Sequence, residues 1–369
     1  MSSALAAAVD RLFDTLTRSQ SLDEIQAAMA DLLPHIQATP PVELNRQLAR
    51  FLILLREATG PDFRLPVALA AMTCGAMVEH GGHPEVCGEA LLDRMEDQLV
   101  ALGVFWTEVR GRSGQDPTPA TARRLGEHYL VDVYQTHPDA AMAYYSHNPL
   151  CLGLISHLAT SPALRATARA RPRLLELAPN LDVAINEFAH LATLLRVLDD
   201  EPLVVLYPAE RKGFRVRITG VADVLQLDTL LAARLVGDPT DGWLPGEQPG
   251  PDVVAAVTDG PVRPDLTVNG VFDLWRWTGL RADGTLPGGP NDHRLEWNAI
   301  PADLPLFDGE RVVLLSPKDP PADWPGTRRY RDLPGDLVLE RMLSAGEVGD
   351  WLDRLAGART RKPAGASVG

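Results

Sequence analysis

Four side chains in one short stretch, Cys74, His80, His83 and Cys87, are of the types that ligate zinc. Thiolate sulfur and imidazole nitrogen build tetrahedral zinc sites when four of them converge on one point. The spacing argues against convergence here. If 66–80 is a helix, six residues at about 100° each leave Cys74 and His80 roughly 240° apart around its axis. Gly81-Gly82 then ends that helix and Pro84 starts the next. This puts the two histidines in an exposed turn and the two cysteines in the interior, where cysteine packs as a small hydrophobe. No metal and no cofactor is expected.

Glu187-x-x-His190 has the i, i+3 spacing used by carboxylate-bridged di-iron bundles. Such a site needs a second motif of the same kind and two further glutamates, and the sequence has no matching one. A satisfied or partly exposed histidine is the simpler reading. Tyr144, Tyr145, His147 and His157, with Cys151 between them, form a polar-aromatic cluster near an expected helix start at Pro149. It could line a pocket, or simply pack between helices.

The acidic trio Asp199-Asp200-Glu201 is expected to end a helix, where the macrodipole disfavours negative charge. Compensating cations follow in Lys212, Arg215 and Arg217. Two readings are open. The arginines brace the helical half to the α/β half through ion pairs, or Arg215 and Arg217 face a pocket and hold an anionic ligand, with Asp223, Asp228 and His190 completing it. The sequence contains no G-x-x-x-x-G-K-[ST] phosphate loop, no G-x-G-x-x-G, no G-x-S-x-G and no H-E-x-x-H.

These residues are carried by elements that the chain's periodicity defines. The stretch 201–237 is the pivot. Leu203-Val204-Val205-Leu206-Tyr207 reads as a strand covered on both faces and closed by Pro208. After the Lys212-Gly213 turn, alternation predicts a second strand, with Phe214, Val216 and Ile218 facing the core and the two arginines facing the other way. Asp223 then caps a helix that ends at Gly237.

Upstream, amphipathic helices follow one another. Leu5, Ala8, Val9, Leu12, Phe13 and Leu16 share a face, and the Ser21-x-x-Glu24 capping box opens the next helix. Another helix follows Pro40-Pro41. Further helices are expected over 66–80, 85–105, 119–134, 149–159, 162–170 and 181–198, with a connector at 110–119. The set predicts a bundle or an armadillo-like array.

Downstream, tryptophan, proline and glycine become frequent, and six of the seven tryptophans lie beyond Gly237. A strand is expected over 271–278, with Trp275, Trp277 and Arg276 making either a core or a recognition surface. Residues 311–317 repeat the look of 203–208, which suggests a weak duplication. Ser344-x-x-Glu347 is a second capping box, and the segment 358–369 has the composition of a disordered tail.

Together these observations predict an α+β protein. The expected parts are a helical domain at 1–200, a smaller mixed α/β domain at 201–357 and a tail at 358–369. A net charge of −14 speaks against a general nucleic-acid or anionic-membrane surface. Three cysteines make a disulfide framework improbable and favour a reducing, cytoplasmic setting. With no coherent catalytic set, the expected function is a soluble, non-enzymatic interaction or regulatory module with a protein or peptide partner. The competing class is a tailoring enzyme acting on a peptide or small molecule, with its site at the junction of the halves.

Overall fold

The computed structural model describes residues 4–18, 21–182, 186–260, 268–272, 277–278, 299–304, 306–315 and 322–360. The fold is α+β, and the chain divides into two compact units, Met1–Arg196 and Val197–Gly369. No helix among the described residues is long and apolar enough to cross a membrane.

The first unit is built from α1 (Ala4–Arg18), α2 (Leu22–Gln37), α3 (Pro41–Glu57), α4 (Pro61–Glu79), α5 (Glu85–Ser113), α6 (Ala122–Thr136), α7 (Pro138–Thr160), α8 (Pro162–Arg169), α9 (Pro172–Asp182) and α10 (Asn186–Arg196). Prolines at the first turn of α3, α4, α7 and α8 start these helices where a missing N–H costs nothing. Ser21 and Ser161 cap α2 and α8 through bonds from Glu24 N and Leu164 N. One expectation fails at Pro149, which lies inside α7 and does not start a helix. The expected 181–198 helix ends earlier, at Arg196, and α9 was not expected at all.

The centre is a bundle in which α7 packs on α4, α5, α6 and α10, so contacts reach beyond sequence neighbours. Its closest approach rests on small residues. A Cβ at Gly153 would lie 2.3 Å from the Ala71 carbonyl oxygen, and one at Gly75 would lie 3.0 Å from the Gly153 Cα. Ser156 Oγ donates to Glu79 at 2.6 Å farther along, and Arg64 pairs with Asp139 at the opposite end. These contacts advance together along both helices, so α4 and α7 run parallel.

The second unit holds β1 (Glu201–Tyr207), β2 (Lys212–Thr219), α11 (Val224–Leu235), α12 (Pro251–Val257), β3 (Val268–Phe272), β4 (Trp277–Thr278), β5 (Leu306–Phe307), β6 (Glu310–Leu315), β7 (Ala322–Gly326), β8 (Asp336–Met342) and α13 (Ala345–Thr360). The main sheet has the order β4-β6-β1-β2-β8, with β5 on β6. β1 and β2 form the expected antiparallel hairpin, Val205 opposite Phe214. β6 pairs with β1 in parallel, Val204 opposite Val312. The two look-alike apolar runs are thus neighbouring central strands. They resemble each other because both are buried on both faces: Leu203, Val205 and Val313 pack with Leu227 and Leu231 of α11, while Val204, Leu206 and Val312 pack with Val348 and Trp351 of α13.

Asp223 caps α11 by accepting from Gln226 N at 2.7 Å, and Ser344 and Glu347 form a reciprocal box at the start of α13. That helix runs to Thr360; residues 361–369 lie outside the described residues. The single strand expected over 271–278 is instead divided. β3 pairs with β7 in a separate two-stranded sheet, whereas β4 joins the main sheet beside β6. Trp275 and Arg276 lie outside the described residues.

The α4–α7 contact leaves no room for a side chain, because backbone stands where a Cβ would go. Gly153→Ala is therefore expected to lower stability by roughly 3 kcal/mol, read as a reduced midpoint in urea. A midpoint equal to wild type would show that α4 and α7 are not held this close.

Candidate functional site

The concave surface of the first unit comes from residues far apart in sequence. A cavity of about 560 Å³ is walled by the α3–α4 turn, the middle of α5, the start of α7 and Arg173 of α9. A second, about 470 Å³, shares Ala58 with it and continues past Ile53 and Phe13; a third, about 500 Å³, shares Val100, Val104 and Arg173 and continues past Gly103 and Leu177. The first and third make one trough with α5 as its floor, and the second, lined by α1 and α3, adjoins it at Ala58. Each volume lies within the range of about 300–1,000 Å³ typical of ligand sites.

Asp97, Val100, Ala101 and Val104 follow the i, i+3, i+4, i+7 spacing of one helical face, which turns a stripe of α5 into that floor. Phe63, Val104 and Ile53 are 43%, 41% and 57% exposed, so apolar surface is open to solvent along it.

Most polar groups in the trough are engaged with each other. Arg64 makes two 2.6 Å bonds to the Asp139 carboxylate and a 2.8 Å bond to Gln98 Oε1, and Gln98 donates in turn to the Ala143 carbonyl. Arg94 donates to the Leu55 and Arg56 carbonyls in the last turn of α3, where a cation complements the helix dipole. Burial lowers its pKa, Asp97 draws it up, and the neighbouring Arg64 pushes it down again. The guanidinium stays charged. Arg173 is different: it is exposed, and no carboxylate pairs with it among the described residues. It also stands in the first turn of α9, where a cation costs about 0.3–1 kcal/mol against the helix dipole.

The residues singled out by sequence are dispersed. Cys74 and Cys87 are buried, and His80 and His83 are exposed. His80 Nδ1 is 2.8 Å from the Ala76 carbonyl oxygen, and the His83 N–H donates to Asn45 Oδ1. Burial, then a hydrogen bond with Cys87, holds the Cys74 thiol well above its usual pKa. Among the described residues no group of three or more His, Cys, Asp or Glu is arranged to hold a metal ion.

Tyr144 stacks on Phe105 at 4.4 Å and fills the space left by Gly126, so it belongs to the packing between α5, α6 and α7. Tyr145 points out, 47% exposed. His157 is fully buried, with Nδ1 on the Gly153 carbonyl and Nε2 without a hydrogen-bond partner. Burial lowers its pKa to about 4, against a small upward pull from Gly153 and Glu85. His190 is an exposed residue of α10.

The arginine cluster departs from both readings. The acidic trio does not end a helix, since α10 stops at Arg196 and Glu201 is already in β1. Arg215 makes a two-pronged pair with Glu310 of β6 at 2.5 and 3.0 Å; Arg217 pairs with Glu340 of β8 at 2.7 Å and with Asp200 at 3.4 Å. Glu201 pairs with Arg311. Every one of these bonds joins residues of the second unit, so the network cross-links the sheet. Arg215 and Arg217 share the sheet face of Val204 and Leu206, whereas Asp223 and Asp228 belong to α11 on the other face. They do not form one pocket. Asp223 is an N-cap whose pKa is raised by burial and lowered by its bond from Gln226 N and by Arg329.

The trough's own residues carried a weak sequence signal: Arg171-Pro172-Arg173 places a cation where Pro marks a helix start. Compared with known proteins, the chain matches no family model, no curated protein and no solved structure.

Two outcomes follow from these environments. Arg215→Gln should lower stability by about 1 kcal/mol, because Glu310 loses a charged partner in a half-buried setting. Adding Arg217→Gln should lower the melting temperature further, and an unchanged melting temperature would show the network is idle.

For His157, the folded pKa of about 4 lies below the unfolded value near 6.5. Between those values the unfolded chain binds a proton that the folded chain does not, so stability falls as pH drops through that window and the loss is complete below about pH 4. The gap corresponds to roughly 3 kcal/mol. Urea midpoints at pH 7 and pH 5 should therefore diverge more for wild type than for His157→Asn; equal divergence would refute the assignment.

Proposed function

We propose that the protein is a non-enzymatic interaction module whose helical unit takes a segment of another polypeptide along the α5 trough. The observation that carries this reading is that the first and third cavities share a stretch of α5, with the second adjoining at Ala58, and that exposed apolar side chains line them. An elongated, open, partly apolar channel suits a chain segment better than a compact metabolite. Its chemistry agrees. No cysteine, histidine, lysine or serine lines the three cavities, and the hydroxyl of Thr107 there is bonded to the Gly103 carbonyl. Arg64, Asp139 and Gln98 hold one another in a fixed arrangement, which preorganises the walls and reduces the entropy lost on binding.

A photo-crosslinking phenylalanine analogue placed at Val104 or Phe63 in the producing cell should give polypeptide adducts. The same group at the exposed Asp132 of α6 should give none. Adducts of equal yield at all three positions, or none at Val104 and Phe63, would overturn the reading.

A further inference from the structure

We infer that the segment held in the trough is acidic as well as apolar, with carboxylates against Arg173 and Arg94 and apolar side chains against Val100, Val104 and Phe63. This rests on the trough being the binding surface and adds the chemistry of its occupant. Charge complementarity carries it. Across the three cavities arginines and carboxylates are equal in number, but in the central one Arg64 and Asp139 neutralise each other and Glu108 beyond it is taken up by Arg112 and His137, which leaves Arg94 and Arg173 facing Asp97 there. That local surplus of positive charge stands within a chain of net charge −14.

Arg173 is the decisive residue. The preceding Arg171 is bonded to Asp93 at 2.6 Å and lies within 3.5 Å of Glu96, as a stabilising surface arginine does. Arg173 has no such partner and sits at the end of α9 where the helix dipole repels it. Folding gives no account of a cation there. A carboxylate from outside does, since a guanidinium binds it through paired N–H donors. Val100 and Val104, one turn apart on α5, offer the adjoining apolar contact, and Asp97 at the near end of the same stripe repels carboxylates and so sets which end of the occupant lies toward α9.

The test measures fluorescence anisotropy with two labelled, end-blocked peptides, one of repeating Glu-Leu-Leu-Glu and one of repeating Lys-Leu-Leu-Lys. Wild type is expected to bind the acidic peptide at least about tenfold more tightly, by an affinity that weakens as salt rises. Arg173→Glu should reverse that preference without lowering the melting temperature, because it removes a cation from a helix N-terminus. Gly103→Leu should abolish binding of the acidic peptide while the fold holds, since a Cβ at Gly103 meets nothing within 4 Å and would only fill the trough.

Equal affinities, a preference for the lysine peptide, or an Arg173→Glu variant with unchanged affinity would overturn the acidic assignment and leave the trough as a binding surface. Binding of neither peptide by wild type overturns the acidic assignment; if Val104 and Phe63 also give no cross-links the trough reading falls with it, whereas cross-links from Val104 leave the trough as a binding surface.

Discussion

The helical unit depends on one backbone contact, that of α7 at Gly153 against α4 at Ala71 and Gly75. Two helices that meet without side chains between them gain dispersion contacts along their whole crossing but have no slack, because packed backbone cannot yield as a side chain can. Running parallel, they also bring two helix N-termini to the same end. Like ends of macrodipoles repel, and Asp139 in the first turn of α7 answers that charge while binding Arg64 in the first turn of α4. Gln98 of α5 completes the knot. The crossing thus fixes where Arg64 and Asp139 stand, and with them the wall of the trough. The α3–α4 turn and α5 then enclose the space that these two helices leave.

Much of the fold was legible wherever a residue type has a local mechanical role. Ser21, Ser161, Asp223 and Ser344 cap the helices that their spacing predicts, because a cap bond needs only neighbours within three residues. The β1–β2 hairpin was equally local. Legibility failed where tertiary context overrode a local rule. Pro149 lies in the middle of α7, where the surrounding packing of Leu150, Cys151 and Leu154 outweighs the bond a proline removes. The tryptophan-rich run read as one strand because alternation says nothing about which sheet a residue joins; β3 and β4 answer to different partners, β7 and β6.

The candidate site was less legible for the same reason. Sequence reasoning looked for dense clusters, and dense clusters here are structural: the arginines of β2 are consumed by Glu310 and Glu340, acids that lie 95 and 123 positions away and carry no local signal. The trough draws Ala58, Asp97 and Val104, Asp139 and Arg173 from four parts of the chain, each ordinary by itself. Apolar residues such as Val104 become informative only when burial is known, because an exposed valine on a helix looks like a core valine in sequence.

Arg173 and Arg215 show how a charge can be weighed. Both are arginines in basic stretches, Arg169-Ala-Arg-Pro-Arg173 and Arg211-Lys-Gly-Phe-Arg215, and composition cannot separate them. Arg215 loses a two-pronged bond if removed, so its presence is explained by the folded state alone. Arg173 makes no such bond and opposes the dipole of its own helix, so the folded state would be as stable or more so without it. A group that folding does not account for is where an external partner can exert selection, and its cost to α9 is small beside the roughly 1.5–3 kcal/mol that a hydrogen bond to a charged group contributes. On the proposed reading, the paired residues of the trough set its shape and the unpaired ones discriminate between occupants.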